Sequence, residues 1–190
     1  MLSKMDPREG PTIRTFTGKT FWPLDPQPAD IDIDDVAHAL ANLCRYTGHT
    51  RHFYSVAQHS VLVAERVSAP HRLWGLLHDA SEAYLGDMAG TLKVAVAELG
   101  GAYRAAEERV MRAVAVRFNL AWPQPPEVAA ADRALLVTEF RDLMHVHEGD
   151  VEWLTERHGN AFPDVIHAWP PREAKAAFIA LYDELRQSNG

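Results

Sequence analysis

Two apolar helical patterns in the first half of the chain carry metal-ligand side chains in the middle of their apolar faces. Between residues 54 and 87 the chain reads Tyr-Ser-Val-Ala-Gln-His-Ser, then Leu-Leu-His-Asp-Ala-Ser-Glu-Ala, then Gly-Asp. His59 stands in one pattern and the adjacent pair His78-Asp79 in the next. An imidazole or a carboxylate buried without a partner is costly. The two patterns can therefore both be core helices only if these side chains meet, and a conflict between propensity and burial tends to fall at a functional site.

The remaining segments read as the frame for that meeting. Residues 1–11 are polar, carry Pro7 and Gly10, and are expected to be a flexible tail. Residues 12–21 alternate around Gly18 and predict a short β-hairpin. The prolines at 23, 26 and 28 make the next stretch an extended connector, with Trp22 and Leu24 expected on the body. Asp34 or Asp35 is the expected cap of a first helix carrying Val36, Leu40, Leu43 and Cys44. Ser55 caps the helix of His59, and Pro70 opens one that runs through His78 to about Tyr84. An Ala-rich pattern spans residues 92–118 with a break expected at Gly100-Gly101, and a helix over 127–147 follows the proline run at 123–126. Residues 150–170 read as irregular, and Pro171 starts a final amphipathic helix. The fold class is all-α with a small N-terminal β-hairpin: one domain over 12–190, with hairpin and connector 12–33, helical core 34–147 and C-terminal segment 148–190.

The chemistry concentrates on a few positions. His78 and Asp79 are adjacent on a helix and can both reach an ion lying between their directions. His59 comes from the preceding helix, and Asp132, an isolated carboxylate in an Ala-rich run, is the best distant fourth ligand. Two His and two Asp are a nitrogen–oxygen site, suited to divalent Mn, Fe, Co, Ni, Zn or Mg, with positions left for water and substrate. Such an ion acidifies a bound water into a nucleophile and polarises a phosphoryl oxygen. Glu82 projects to the same helix face as His78 and is free to shuttle the proton. Taken singly, each of these groups is more often a hydrogen-bonded core residue; together they read as a metal site.

The set His59, His78-Asp79 and Asp132 resembles the H…HD…D signature of the HD-domain metal-dependent phosphohydrolases. The nearer likeness is to their nucleotidase branch, the bacterial 5′-deoxynucleotidases and phage dATP triphosphohydrolases. It is carried by Cys44-Arg45-Tyr46, by residues 53–60, and by His-Asp-Ala-Ser-Glu-Ala at 78–83 followed by Gly86-Asp87. The resemblance covers roughly residues 34–145 and implies an HD-domain helical bundle. It also implies Glu82 and Asp87 as acid/base residues, and Arg45 and Tyr46 as substrate contacts. Lys93 is, by its charge alone, a further candidate to neutralise phosphate, although a solvated surface is the more usual place for such a lysine. Tyr46 departs from the tryptophan of the deoxynucleotidases, and Arg45 can equally be a cation at a helix C-terminus.

The expected activity is hydrolysis of a nucleotide, foremost a 2′-deoxynucleotide, by water activated on the metal. A mono- and a triphosphate substrate are equally compatible with the ligand set. The alternatives are a phosphodiesterase, a phosphatase of another small metabolite, or a non-catalytic metal-binding module. The net charge of −7 argues against a broad nucleic-acid surface. A single cysteine, no secretory pattern and no apolar run of spanning length lead to the expectation of a cytoplasmic protein with no membrane partner. The family resemblance implies a homo-oligomeric assembly.

Overall fold

A computed structural model of the protein describes residues 8–95 and 97–188. The expected tail lies outside the described residues over 1–7. From residue 8 the chain is fastened: the Arg8 guanidinium donates to the Asp30 carboxylate at 2.6 and 3.0 Å and lies 3.9 Å over the Trp22 ring. Strand β1 (Ile13–Arg14) pairs antiparallel with β2 (Thr20–Phe21), Ile13 opposite Phe21, and Gly18 takes the reversal at φ +85°. Leu24 is exposed, against expectation, because the connector holds on through Trp22 and Arg8 instead.

Helix α1 (Ile33–Asn42) is capped by Asp32, whose side chain accepts from Asp34 N. The cap was expected at Asp34 or Asp35. Asp35 is not available for that role, because its carboxylate accepts from Thr17 N at 2.6 Å and Thr17 Oγ1 at 2.9 Å and so holds the hairpin turn against α1. Phe21, fully buried, stacks on Tyr84 with ring centroids 4.0 Å apart.

Helix α2 (Val56–Glu65) begins at Ser55, whose hydroxyl accepts from Gln58 N. Eight of its ten residues are buried, and it packs against all three of α1, α3 (Arg72–Leu77) and α7 (Pro126–Leu143), and against α9 (Pro171–Ser188). A helix apolar around most of its circumference has to be central. Gly75 lets α3 come close: a Cβ there would lie 2.8 Å from Ala64 Cα. The single helix expected through Tyr84 is instead α3 and α4 (Glu82–Leu85), joined by i to i+3 bonds such as Ala80 N to Leu77 O at 3.0 Å. The His78 ring takes the Gly75 carbonyl, an acceptor that a continuing α-helix would have used.

The Ala-rich pattern also divides. Helix α5 (Gly90–Ala95) packs against α6 (Ala97–Phe118), with Lys93 Nζ 2.7 Å from Glu107 Oε1, and α6 runs through Gly100-Gly101 without the expected break. Residues 150–170 are not all irregular: α8 (Asp150–His158) lies against α7. One hydrophobic cluster extends from Phe21 to Leu185, so the C-terminal segment shares the core of the rest. Cys44 is half-buried rather than a core residue. The fold is all-α with the small hairpin expected. No helix among the described residues is long and apolar enough to cross a membrane.

Candidate metal centre

His59 is fully enclosed in α2, and both of its ring nitrogens face α7 carboxylates. Asp132 and Glu139 are seven residues apart, so they lie two turns along one face of α7. Glu139 Oε1 meets Nδ1 at 2.6 Å, and Asp132 Oδ1 meets Nε2 at 3.1 Å. His78, the residue that ends α3, brings its Nε2 to 3.3 Å from His59 Nε2. Asp79 Oδ2 is 3.3 Å from His78 Nε2 and 3.6 Å from His59 Nε2. One ligand atom each from His59, His78 and Asp132 lies within 4.8 Å of the others.

These side chains fit a metal on their own chemistry. His59 Nδ1–H donates to Glu139, and His78 Nδ1–H donates to the Gly75 carbonyl at 2.7 Å. In the neutral rings both Nε2 atoms are then lone-pair acceptors, facing each other and two carboxylates. That arrangement could hold a cation between them. Metal–ligand bonds of about 2.0–2.2 Å give tetrahedral edges of about 3.3–3.6 Å, close to the separations found. Without an ion, protons answer the same charge. Burial and the Arg45 cation oppose it, yet Glu139 and Asp132 raise His59 to about 9. His78 also rises against its burial, through Asp79. Burial works against charge on Asp79 and Asp132 too, but the imidazoles hold both carboxyls below their usual range.

Glu139 was not foreseen as a site residue. It is fully buried and accepts four hydrogen bonds: from His59, from Arg45 Nη2 at 3.1 Å, from Tyr46 OH at 2.6 Å and from Tyr54 OH at 2.8 Å. Burial disfavours its charge, but Arg45, His59 and these bonds hold the carboxyl at about 2. Its signal in the sequence is the one that marked Asp132, a carboxylate within an apolar helical run, one heptad further on. Tyr46 and Thr47 both take φ 53°, a left-handed conformation unusual outside glycine. That turn directs Arg45 and Tyr46 inward onto Glu139. The Tyr46 hydroxyl is thus committed to Glu139, and Arg45 Nη1 lies 3.6 Å from Asp79 Oδ2 at the edge of the ligand cluster.

Glu82, on the first turn of α4, is buried, and its Oε2 has no hydrogen-bond partner. Burial and the neighbouring carboxylates of Asp79 and Asp87 push it up to about 10. Asp87, half-buried, is raised by its own burial and by Asp79, against Arg45 and Lys93. Glu82 opens with His78, Asp79 and Lys93 onto a cleft of about 270 Å³. Of the nine site residues read from the sequence, the structure gathers His59, His78 and Asp132 in one group, brings Asp79 to 3.3 Å and 3.6 Å from the two imidazoles, and sets Arg45 beside Asp79. It sets Glu82 and Lys93 on the adjoining cleft and turns the Tyr46 hydroxyl away from it to Glu139.

No family model matches the chain. It is 39% identical over 131 residues to the uncharacterized protein YfdR of Escherichia coli (strain K12), covering 69% of this chain and 71% of that protein. It is 34% identical over 193 aligned positions to the uncharacterized protein RCAP_rcc00048 of Rhodobacter capsulatus, covering 92% of this chain and 95% of that protein.

Proposed function

The chain belongs to the family of YfdR and RCAP_rcc00048, and we propose that it is a metal-dependent phosphohydrolase acting on a nucleotide, foremost a 2′-deoxynucleotide. The observation that carries this reading is the meeting of two imidazole lone pairs with Asp79 and Asp132, beside a buried carboxyl that has no partner of its own. The resemblance of these residues to the HD-domain nucleotidases supplies the substrate class.

His59, His78, Asp79 and Asp132 hold a divalent ion, which when bound acidifies water and polarises a phosphoryl oxygen. Glu139 and the Gly75 carbonyl keep the two imidazoles in the tautomer that binds it. Arg45, at the edge of the cluster, offsets phosphoryl charge as its negative density grows. Glu82, which opens on the same cleft with Asp79, delivers a proton to the leaving oxygen as the ester P–O bond breaks. The proton released by the attacking water restores Glu82. Asp87 keeps the proton affinity of Glu82 high.

The test is product release from deoxy- and ribonucleoside mono- and triphosphates, with metal-stripped protein resupplied with Co, Mn, Zn or Mg and the products separated by chromatography. Cleavage of a deoxynucleotide that chelator stops is the expected result. Glu82→Gln should abolish turnover and leave metal bound. A wild-type protein that binds metal and nucleotide but cleaves none would be a non-catalytic module, and the enzymatic reading would fall.

A further inference from the structure

Residues 159–170 form neither helix nor strand, so their backbone groups have no ladder to join. Side chains of α2 and α7 take its place. From α7, Thr138 Oγ1 accepts from Phe162 N at 2.9 Å, and Asp142 Oδ2 accepts from Ile166 N at 2.8 Å. Arg141 donates to the carbonyls of Phe162 and Asp164 at 2.9 and 2.7 Å. From α2, Gln58 binds the far end of the segment. Its Nε2 donates to the His167 carbonyl and its Oε1 accepts from Trp169 N, both at 2.8 Å. The segment's own side chains add to the hold: Ile166 is buried, and the Arg66 guanidinium lies 4.9 Å over the Phe162 ring. Residues 162–169 are thus a strap fastened to both helices.

Gln58 and Thr138 are the residues immediately before His59 and Glu139. Adjacent helical residues point about 100° apart, so Gln58 meets the strap while His59 meets α7. The His59–Glu139 contact at 2.6 Å is therefore flanked, on each helix, by a bond to the same strap. Gln58 is 1% exposed, and a carboxamide is costly to bury unless both its ends are bonded. An apolar residue would serve a core position on α2; the strap explains the carboxamide. At the centre itself α2 and α7 meet through His59 with Asp132 and Glu139. Such a constellation has to be held to about 0.5 Å, and the strap is a tie between the two helices that does not pass through the ligands.

We propose that the strap of residues 162–169 sets the separation of α2 and α7 at the metal centre, and that Gln58 is the positioning residue through which it acts on His59. The inference rests on the reading of His59, His78, Asp79 and Asp132 as metal ligands.

The experiment is titration of the metal-stripped, full-length protein with Co(II), followed by the visible spectrum, in the wild type, Gln58→Leu, Ile166→Ala and Val114→Ala. Gln58→Leu leaves the His167 carbonyl and the Trp169 N–H without their partner. Ile166→Ala loosens the strap and leaves the sequence of α2 and α7 unchanged. Val114, buried on α6, is the control for lost core packing alone. At a temperature where circular dichroism shows the variants folded, Gln58→Leu and Ile166→Ala should each bind Co(II) about tenfold more weakly and shift its visible bands, which report the geometry of the ligands. Val114→Ala should melt lower and keep both the affinity and the bands. Wild-type affinity and spectrum in Gln58→Leu or in Ile166→Ala would overturn the proposal, as would an equal loss in Val114→Ala. If Gln58→Leu does not fold, Ile166→Ala decides. A wild type that binds no Co(II) would remove the metal centre and this inference with it, whereas a wild type that binds Co(II) beside strap variants that bind it equally well would remove the role of the strap alone.

Discussion

Glu139→Gln tests the organisation of the centre more directly than removal of a ligand. The carboxylate is fully buried and accepts from His59, Arg45, Tyr46 and Tyr54. A carboxamide keeps the shape but has one acceptor oxygen and an NH2 that cannot accept. The two tyrosine hydroxyls can rotate to accept from it, but the Arg45 guanidinium cannot. His59 would relieve the clash only by moving its proton to Nε2, the atom that faces the metal. A carboxyl held at about 2 in place of 4.5 contributes about 3 kcal/mol at neutral pH, in line with the roughly 3–5 kcal/mol for breaking a buried ion pair. The metal-free variant should melt about 6–12 °C lower than the wild type at pH 7. The sign with pH follows from the depressed value: the contribution is present above about 4.5 and lost as pH falls through about 2. The gap between the two proteins should therefore close as the solution is acidified over that range. Metal affinity, read by the visible spectrum of bound Co(II), should drop by about 10–100-fold. A variant that melts within a degree of wild type and binds Co(II) equally well would refute this account of Glu139.

Gly75→Ala places a Cβ against the Ala64 backbone and shifts the carbonyl that orients His78, so urea unfolding should show a loss of about 1–3 kcal/mol. An unchanged midpoint would contradict the close approach of α3 to α2. Divalent ion at a hundred times its Kd should stabilise the protein by about 2.7 kcal/mol, or about 5–11 °C. Asp132→Asn should remove most of that shift, and scanning calorimetry with and without chelator reads both effects. Phe21→Ala removes the ring that stacks on Tyr84 and should cost about 3–5 kcal/mol. Because Tyr84 is two residues from Glu82 on α4, kcat should fall as well; a variant with full kcat would show that the hairpin does not support the site.

The sequence by itself determined the helical class, several element starts and most pieces of the centre. Local rules suffice for Ser55 as a cap, for Gly18 as a reversal, and for the ends of α7 and α9 that begin at prolines. Burial chemistry marked His59, His78, Asp79 and Asp132, because each is a polar side chain set in an apolar helical run. Tertiary structure decided what those pieces meet. Asp35 left the role of helix cap because a hairpin turn 18 residues earlier claimed its carboxylate. Residues 92–118 divided because Lys93 found Glu107 on the returning helix. Glu139 became the hub of the centre because α7 crosses α2 at the height of His59, 80 residues away in the chain. The turn at Tyr46 and Thr47, in a conformation that local preference disfavours, is held by that same carboxylate. A helical period specifies which face a side chain occupies; only the packing of helices specifies which other face it will meet.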